Sequence, residues 1–196
     1  MKIQERLKTI MEQLDCRGEP ALLSPTNVWH AGLDDEIAEL GRTHPSTDAD
    51  KSRIALMAGL HLLNDSLDRS HSYAQQIEDD ATGCYWHAIM HRMEQDFWNS
   101  KYWFRQAGRH PVKERTRLAV SVWLKDQPGL NVLPAGAIVN ILKQFRNDGS
   151  WNCDEFVDLI SLQESGKGSD ETHRLLQGLQ RIELAELFRY TLDAAN

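Results

Sequence analysis

The apolar positions of the chain recur at the helical period rather than at the period of two that marks a strand. Ile3, Leu7, Ile10, Met11 and Leu14 fall three or four apart, so residues 2–15 are expected to form an amphipathic helix ending near Arg17-Gly18. Gly18, Pro20 and Pro25 give the next stretch a loop composition, after which Trp29, Leu33, Ile37 and Leu40 predict a short helix stopped at Gly41. A break at His44-Pro45-Ser46 follows. With Asp48 or Asp50 as its cap, the next helix carries Ile54, Met57, Leu60 and Leu63 in one stripe up to Asn64-Asp65. Its partner holds Leu67, Ser70, Tyr73, Ala74 and Ile77, and the acidic turn Glu78-Asp79-Asp80 with Gly83 leads into a second pair over 84–93 and 97–108.

Beyond Pro111, Leu118, Val122 and Trp123 extend a helix closed by Gln127-Pro128-Gly129. Residues 135–146 are apolar at Ile138, Ile141, Leu142 and Phe145 and stop at Asn147-Asp148-Gly149. Asp154 is the expected cap of a helix through Phe156, Val157, Ile160 and Leu162. Ser165-Gly166-Lys167-Gly168-Ser169 reads as a flexible surface loop, and it lacks the glycine spacing and preceding strand of a phosphate loop. The last segment, 171–194, keeps Leu175, Leu176, Leu179, Ile182, Leu187 and Tyr190 on one broad face, as a C-terminal lid would. The expectation is an all-α fold of eight or nine helices, a compact bundle of antiparallel helical hairpins in a single domain. Residues 1–50 would supply N-terminal helices and a loop, 51–111 two hairpins, and 112–196 the C-terminal helices.

Shifting residues 54–111 by 30 positions lays Ala58 on Ala88, His61 on His91, Leu67 on Phe97, Ser70 on Ser100 and Tyr73 on Trp103. Within each copy a small residue, Ala58 or Ala88, is followed twelve positions later by Ser70 or Ser100, and Pro111 closes the second copy. This spacing resembles the tetratricopeptide helical hairpin, in which small residues let two antiparallel helices approach and larger ones fill the gap to the next pair. The chain departs from that family's pattern in its shorter period, in Ile54 and Cys84 where tryptophan is typical, and in His61 and His91 where tyrosine is typical. The resemblance implies an interaction domain for a protein or peptide partner. The run Tyr85-Trp86-His87-Ala88-Ile89-Met90-His91-Arg92 also looks like a family of uncharacterised helical proteins, which implies no activity.

Composition narrows the classes. No run approaches the ~18 apolar residues of a membrane-spanning helix, and 41% apolar with 26% charged residues is ordinary for a globular protein. The first fourteen residues alternate charge and apolar character without the pattern of an export signal. Three cysteines, Cys16, Cys84 and Cys153, stand far apart with no CxxC spacing, which argues against a disulfide framework and a thiolate zinc site. A cytoplasmic location follows as the expectation. A net charge of −7 disfavours nucleic acid as a general partner.

Candidate chemistry gathers in the two hairpins. His87 and His91 are four apart, so both rings share a helix face and can share a metal ion, and Glu94 follows on nearly the same face. The neighbouring hairpin offers His61, Asp65, Asp68 and His71. The expected metal ligands are His61, Asp65, His87, His91 and Glu94, around one divalent ion held by mixed nitrogen and oxygen donors. Asp68 with His71 can be drawn as a metal-free acid/base pair and supplies the candidate catalytic residues. Against these stands the plain reading, in which His61 and His91 are core histidines, each satisfied by one hydrogen bond. Tyr85, Trp86, Trp98, Tyr102 and Trp103 are candidates for a partner surface or an aromatic groove, with Lys101, Arg105 and Arg109 as a cationic ridge. Such a ridge suits a small polar or anionic ligand or single-stranded RNA, or is simply paired with the chain's own acids.

Overall fold

The computed structural model describes residues 3–18, 21–43, 50–147 and 151–195. Among these it is all helical, with eleven α-helices and no strand. They are α1 (Ile3–Asp15), α2 (Ala31–Thr43), α3 (Lys51–Leu63), α4 (Leu67–Ala74), α5 (Ala81–Met93), α6 (Phe97–Gln106), α7 (Val112–Lys125), α8 (Gly129–Val132), α9 (Ala137–Arg146), α10 (Cys153–Leu162) and α11 (Asp170–Ala195). The number exceeds the expected eight or nine, in part because α8 is a single turn after Pro128, too short to leave a periodic signature.

The repeat of 30 residues is a repeat of structure. α3 pairs with α4 and α5 with α6, and each pair turns through one residue in the left-handed region, Asp65 at φ 58° and Gln95 at φ 66°. Both turns close in the same way. Ser66 N–H donates to His61 O and Asp96 N–H to His91 O, each at 2.9 Å, while Asp65 and Gln95 N–H reach Leu62 O and Arg92 O. These bonds satisfy carbonyls that a helix end would otherwise leave orphaned. Ser100 Oγ donates to Ala88 O at 2.8 Å, so the small pair brings α5 and α6 into close approach.

α3 and α5 are the buried members. Ile54 through Leu62 and Gly83 through Met93 are covered all round, whereas α4 and α6 bury only narrow strips, Ser70 with Ala74 and Ser100 with Phe104. Gly59 is what lets them meet: a Cβ there would stand 2.7 Å from the Trp86 ring. α11 crosses behind the hairpins against α3, α5 and α7, which is the lid role expected of it, and α10 backs α6. In this buried interface Arg92 Nη1 lies 2.7 Å from Glu183 Oε2, both residues wholly buried, and Tyr85 Oη and Trp151 Nε1 donate to Glu183 Oε1 at 2.8 and 3.1 Å.

Several boundaries differ from the expectation for local reasons. α2 runs through Gly41 instead of stopping there. The second copy's first helix starts at Ala81, because Asp80 caps it by accepting from Thr82 and Gly83 N–H. Asn152, not Asp154, caps α10. Residues 163–167 are no free loop but a wide helical turn continuing α10, ended where Gly166 takes φ 78°. Asp50 does cap α3, accepting from Arg53 N–H. The breaks expected at His44-Pro45-Ser46 and Asp148-Gly149, Pro20 and the alternative cap Asp48 lie outside the described residues.

Candidate metal centre

α4 and α5 bring three imidazoles together. His71 comes from α4, and His87 and His91 lie one turn apart on α5. The ring centroids are 4.7 Å apart for His87 and His91, 4.8 Å for His71 and His87, and 5.1 Å for His71 and His91. One nitrogen from each lies within 4.8 Å of the others. Trp103 of α6 closes the far side, its ring stacked on His87 at 4.2 Å.

Burial disfavours the charged form of two of the three rings, His87 and His71. His87 is 2% exposed and neither ring nitrogen has a hydrogen-bond partner. Burial, helped by His91 and His71, pushes its pKa down to about 3. The half-buried His71 is lowered too, by burial and then by His91. His91 is oriented: its Nδ1 donates to Glu94 Oε1 at 2.6 Å, with Asp96 Oδ2 at 4.0 Å. With Nδ1 taken by Glu94, Nε2 is the ring nitrogen left for a metal, as in carboxylate–histidine–metal arrangements. Three imidazoles so placed could hold a divalent transition ion such as zinc, copper or nickel. Thiolates take no part. Cys84 donates to Glu78 O and burial raises its pKa to about 11, while burial raises that of Cys153 to about 12.

The repeat supplies an internal control. Carried back to α2, the shift of 30 lays Gly41 on His71 and Met57 on His87, beside the pairs His61 with His91 and Tyr73 with Trp103. The first four residues also gather, but with a different ring contact, since Trp103 stacks on His87 whereas Tyr73 stacks on the counterpart of His91. Tyr73 stacks on His61 at 5.6 Å, and a Cβ added to Gly41 would collide with the Tyr73 hydroxyl and press on Met57 Cε at 3.1 Å. His61 Nδ1 donates to Asp34 Oδ1 at 2.7 Å, so in both slots a carboxylate holds Nδ1. His61 Nε2 has no partner, and burial lowers the His61 pKa. The fold is therefore satisfied by glycine and methionine where the second slot has two histidines.

Of the five expected ligands, His87, His91 and Glu94 converge, with Glu94 on the outer nitrogen of His91. His61 and Asp65 do not join them: His61 fills the first slot, and Asp65 pairs with Arg17 at 2.7 Å, its carboxyl raised by burial. His71, expected to act with Asp68, belongs to the triad, and no direct bond between Asp68 and the His71 ring is present among the described contacts. Tyr85 and Trp86 are fully buried rather than at a partner surface, because α5 is covered on all sides; Trp86 Nε1 donates to Thr191 Oγ1 at 3.0 Å. Trp98 and Tyr102 are exposed, 76% and 41%, and stack at 6.2 Å. Lys101 and Arg105 pair with Asp158 and Asp154 of α10, the self-paired alternative for the ridge, and Arg109 is exposed. Sequence reading missed Arg92 and Glu183, whose pairing joins residues 91 positions apart and leaves no local signal.

No protein-family model, curated protein or solved structure matches the chain. Among the described residues, no helix is long and apolar enough to cross a membrane.

Proposed function

We propose that the protein binds one divalent transition metal ion through His71, His87 and His91, with Glu94 orienting His91 and the fourth coordination position open to water or substrate. The observation that carries this reading is His87: a buried imidazole with two unpartnered nitrogens, set between two further imidazoles. An unsatisfied buried polar group costs about 1–3 kcal/mol, and the repeat-related Met57 meets the packing need without that cost. A bound metal would supply Lewis acidity and lower the pKa of its water. The test is elemental analysis of untagged protein prepared without chelator and then exposed to zinc, beside the His87→Ala, His91→Ala double variant. About one equivalent in the parent and none in the variant is the expected result. No metal in the folded parent would refute it.

A second reading rests on the exposed Trp98–Tyr102 stack. In this reading the hairpins, tetratricopeptide-like in architecture, present those rings to a protein or peptide partner. It predicts that Trp98→Ala abolishes partner binding while His91→Phe leaves it intact. Loss with His91→Phe and not with Trp98→Ala would contradict it.

A further inference from the structure

We infer that the triad is loaded by free hydrated cations through an acidic mouth that repels anions, so that any substrate reaching the metal is neutral or cationic; this rests on the metal reading above. The three helices that build the site carry few basic side chains, and none of them faces the triad. Their basic side chains are Arg69 on α4, Arg92 on α5, and Lys101 and Arg105 on α6. Every one is tied to a carboxylate away from the triad. Arg69 reaches Asp34 and Asp35 at 3.0 and 3.2 Å, and Arg92 is sealed against Glu183. Lys101 reaches Asp158 at 2.5 Å and Arg105 reaches Asp154 at 3.1 Å.

The acids beside His71, the one partly exposed ring of the triad, have no such compensation from these helices. Asp68, one turn before His71 on α4, is exposed, as are Glu78 and Glu94, and Asp96 is half-exposed. The charged side chains acting on the His71 ring, apart from His91, are Glu94, Asp68 and Glu78, and no lysine or arginine is among them. Asp79 alone in the adjoining turn is neutralised, by Lys51 at 2.6 Å. Carboxylates at the entrance to a partly buried site focus the field and raise the local concentration of cations. Asp68 and Glu78 lie outside the set of atoms close enough to coordinate with the triad, so their effect falls on arrival rather than on holding.

The experiment is stopped-flow binding of cobalt(II) to the full chain and to the Asp68→Asn, Glu78→Gln double variant, at low and at about 0.15 M ionic strength, where the screening length is about 8 Å. The association rate constant should fall about tenfold in the variant at low salt, with the dissociation rate unchanged and the salt dependence flattened. Equal association rates, or a loss of affinity arising from faster dissociation, would overturn the inference. In the loaded parent, imidazole should perturb the cobalt spectrum at lower concentration than inorganic phosphate, and the reverse order would also overturn it. A parent that takes up no cobalt refutes the triad itself, whereas one that takes it up without steering refutes only the acidic mouth.

Discussion

The two slots between successive helices share a plan and differ in content. In the first, Gly41, Met57, His61 and Tyr73 pack with one polar bond, His61 to Asp34. That bond is shielded, since Asp34 also takes Arg69 and lies 3.4 Å from Asn64 Nδ2. In the second, His71 and His87 replace glycine and methionine, and the carboxylate on His91 comes from Glu94, whose side chain is 35% exposed. The first slot spends its histidine on structure. The second holds two imidazoles where the first has glycine and methionine, beside an orienting carboxylate that solvent reaches. His61 Nε2 of the first slot is also unpartnered but faces no second imidazole, whereas the second slot sets three imidazoles against one another, which is what a metal site needs.

The sharpest way to break this contrast is His87→Met, which gives the second slot the residue of the first. Metal uptake should vanish while the midpoint of urea unfolding stays the same or rises, because an unpartnered imidazole has been removed. A marked fall in stability would instead make His87 a packing residue. Asp34→Ala should strike the first slot, destabilising the protein by about 3 kcal/mol through loss of a buried partner shared by His61 and Arg69. Glu94→Ala, at a half-open position, should cost less than about 1 kcal/mol. Urea titrations of the two variants compare them directly, and equal losses would erase the distinction. Glu94→Gln should lower metal affinity by about 10–100-fold while leaving the visible spectrum of the bound cobalt ion nearly unchanged; a changed spectrum would make Glu94 a ligand.

The contrast also appears in the pH dependence of stability. His87 and His110 titrate near 3 and 4 in the folded chain, both mainly through burial, against 6.5 as the ordinary value. Between those limits the unfolded chain binds more protons, so apo-protein stability is complete above pH 6.5 and declines as the pH falls below it. Removing His87 should shallow that decline. Chemical denaturation of parent and His87→Met at pH 7 and pH 5 measures the difference, and identical slopes would contradict the buried, neutral state of His87.

Much of this plan was legible in the sequence. The helical period and the shift of 30 residues marked the two hairpins, and the four-residue spacing of His87 and His91 with Glu94 placed three site residues on one face. What stayed hidden was the partner row. Periodicity says which residues share a face of one helix and nothing about which neighbouring helix that face meets. His61 was therefore drawn into the site and His71 assigned to Asp68. The repeat held the correction: His61 and His91 are equivalent, so they occupy successive slots and cannot share one. Extending the shift back to Gly41 and Met57 identifies His71 and His87 as the residues that change between slots. Tyr85 and Trp86 were misplaced because a helix covered on every side carries aromatics all round, with no polar face to show its orientation.

Metal binding by the second slot, as proposed, depends on His87. Cobalt(II) titration of the parent and of His87→Met, read by visible absorption with folding checked in the same samples, tests it most directly. Saturation near one equivalent is expected in the parent, and no binding in a variant that is equally well folded. A parent that stays colourless, or a variant that binds as tightly as the parent, would contradict it.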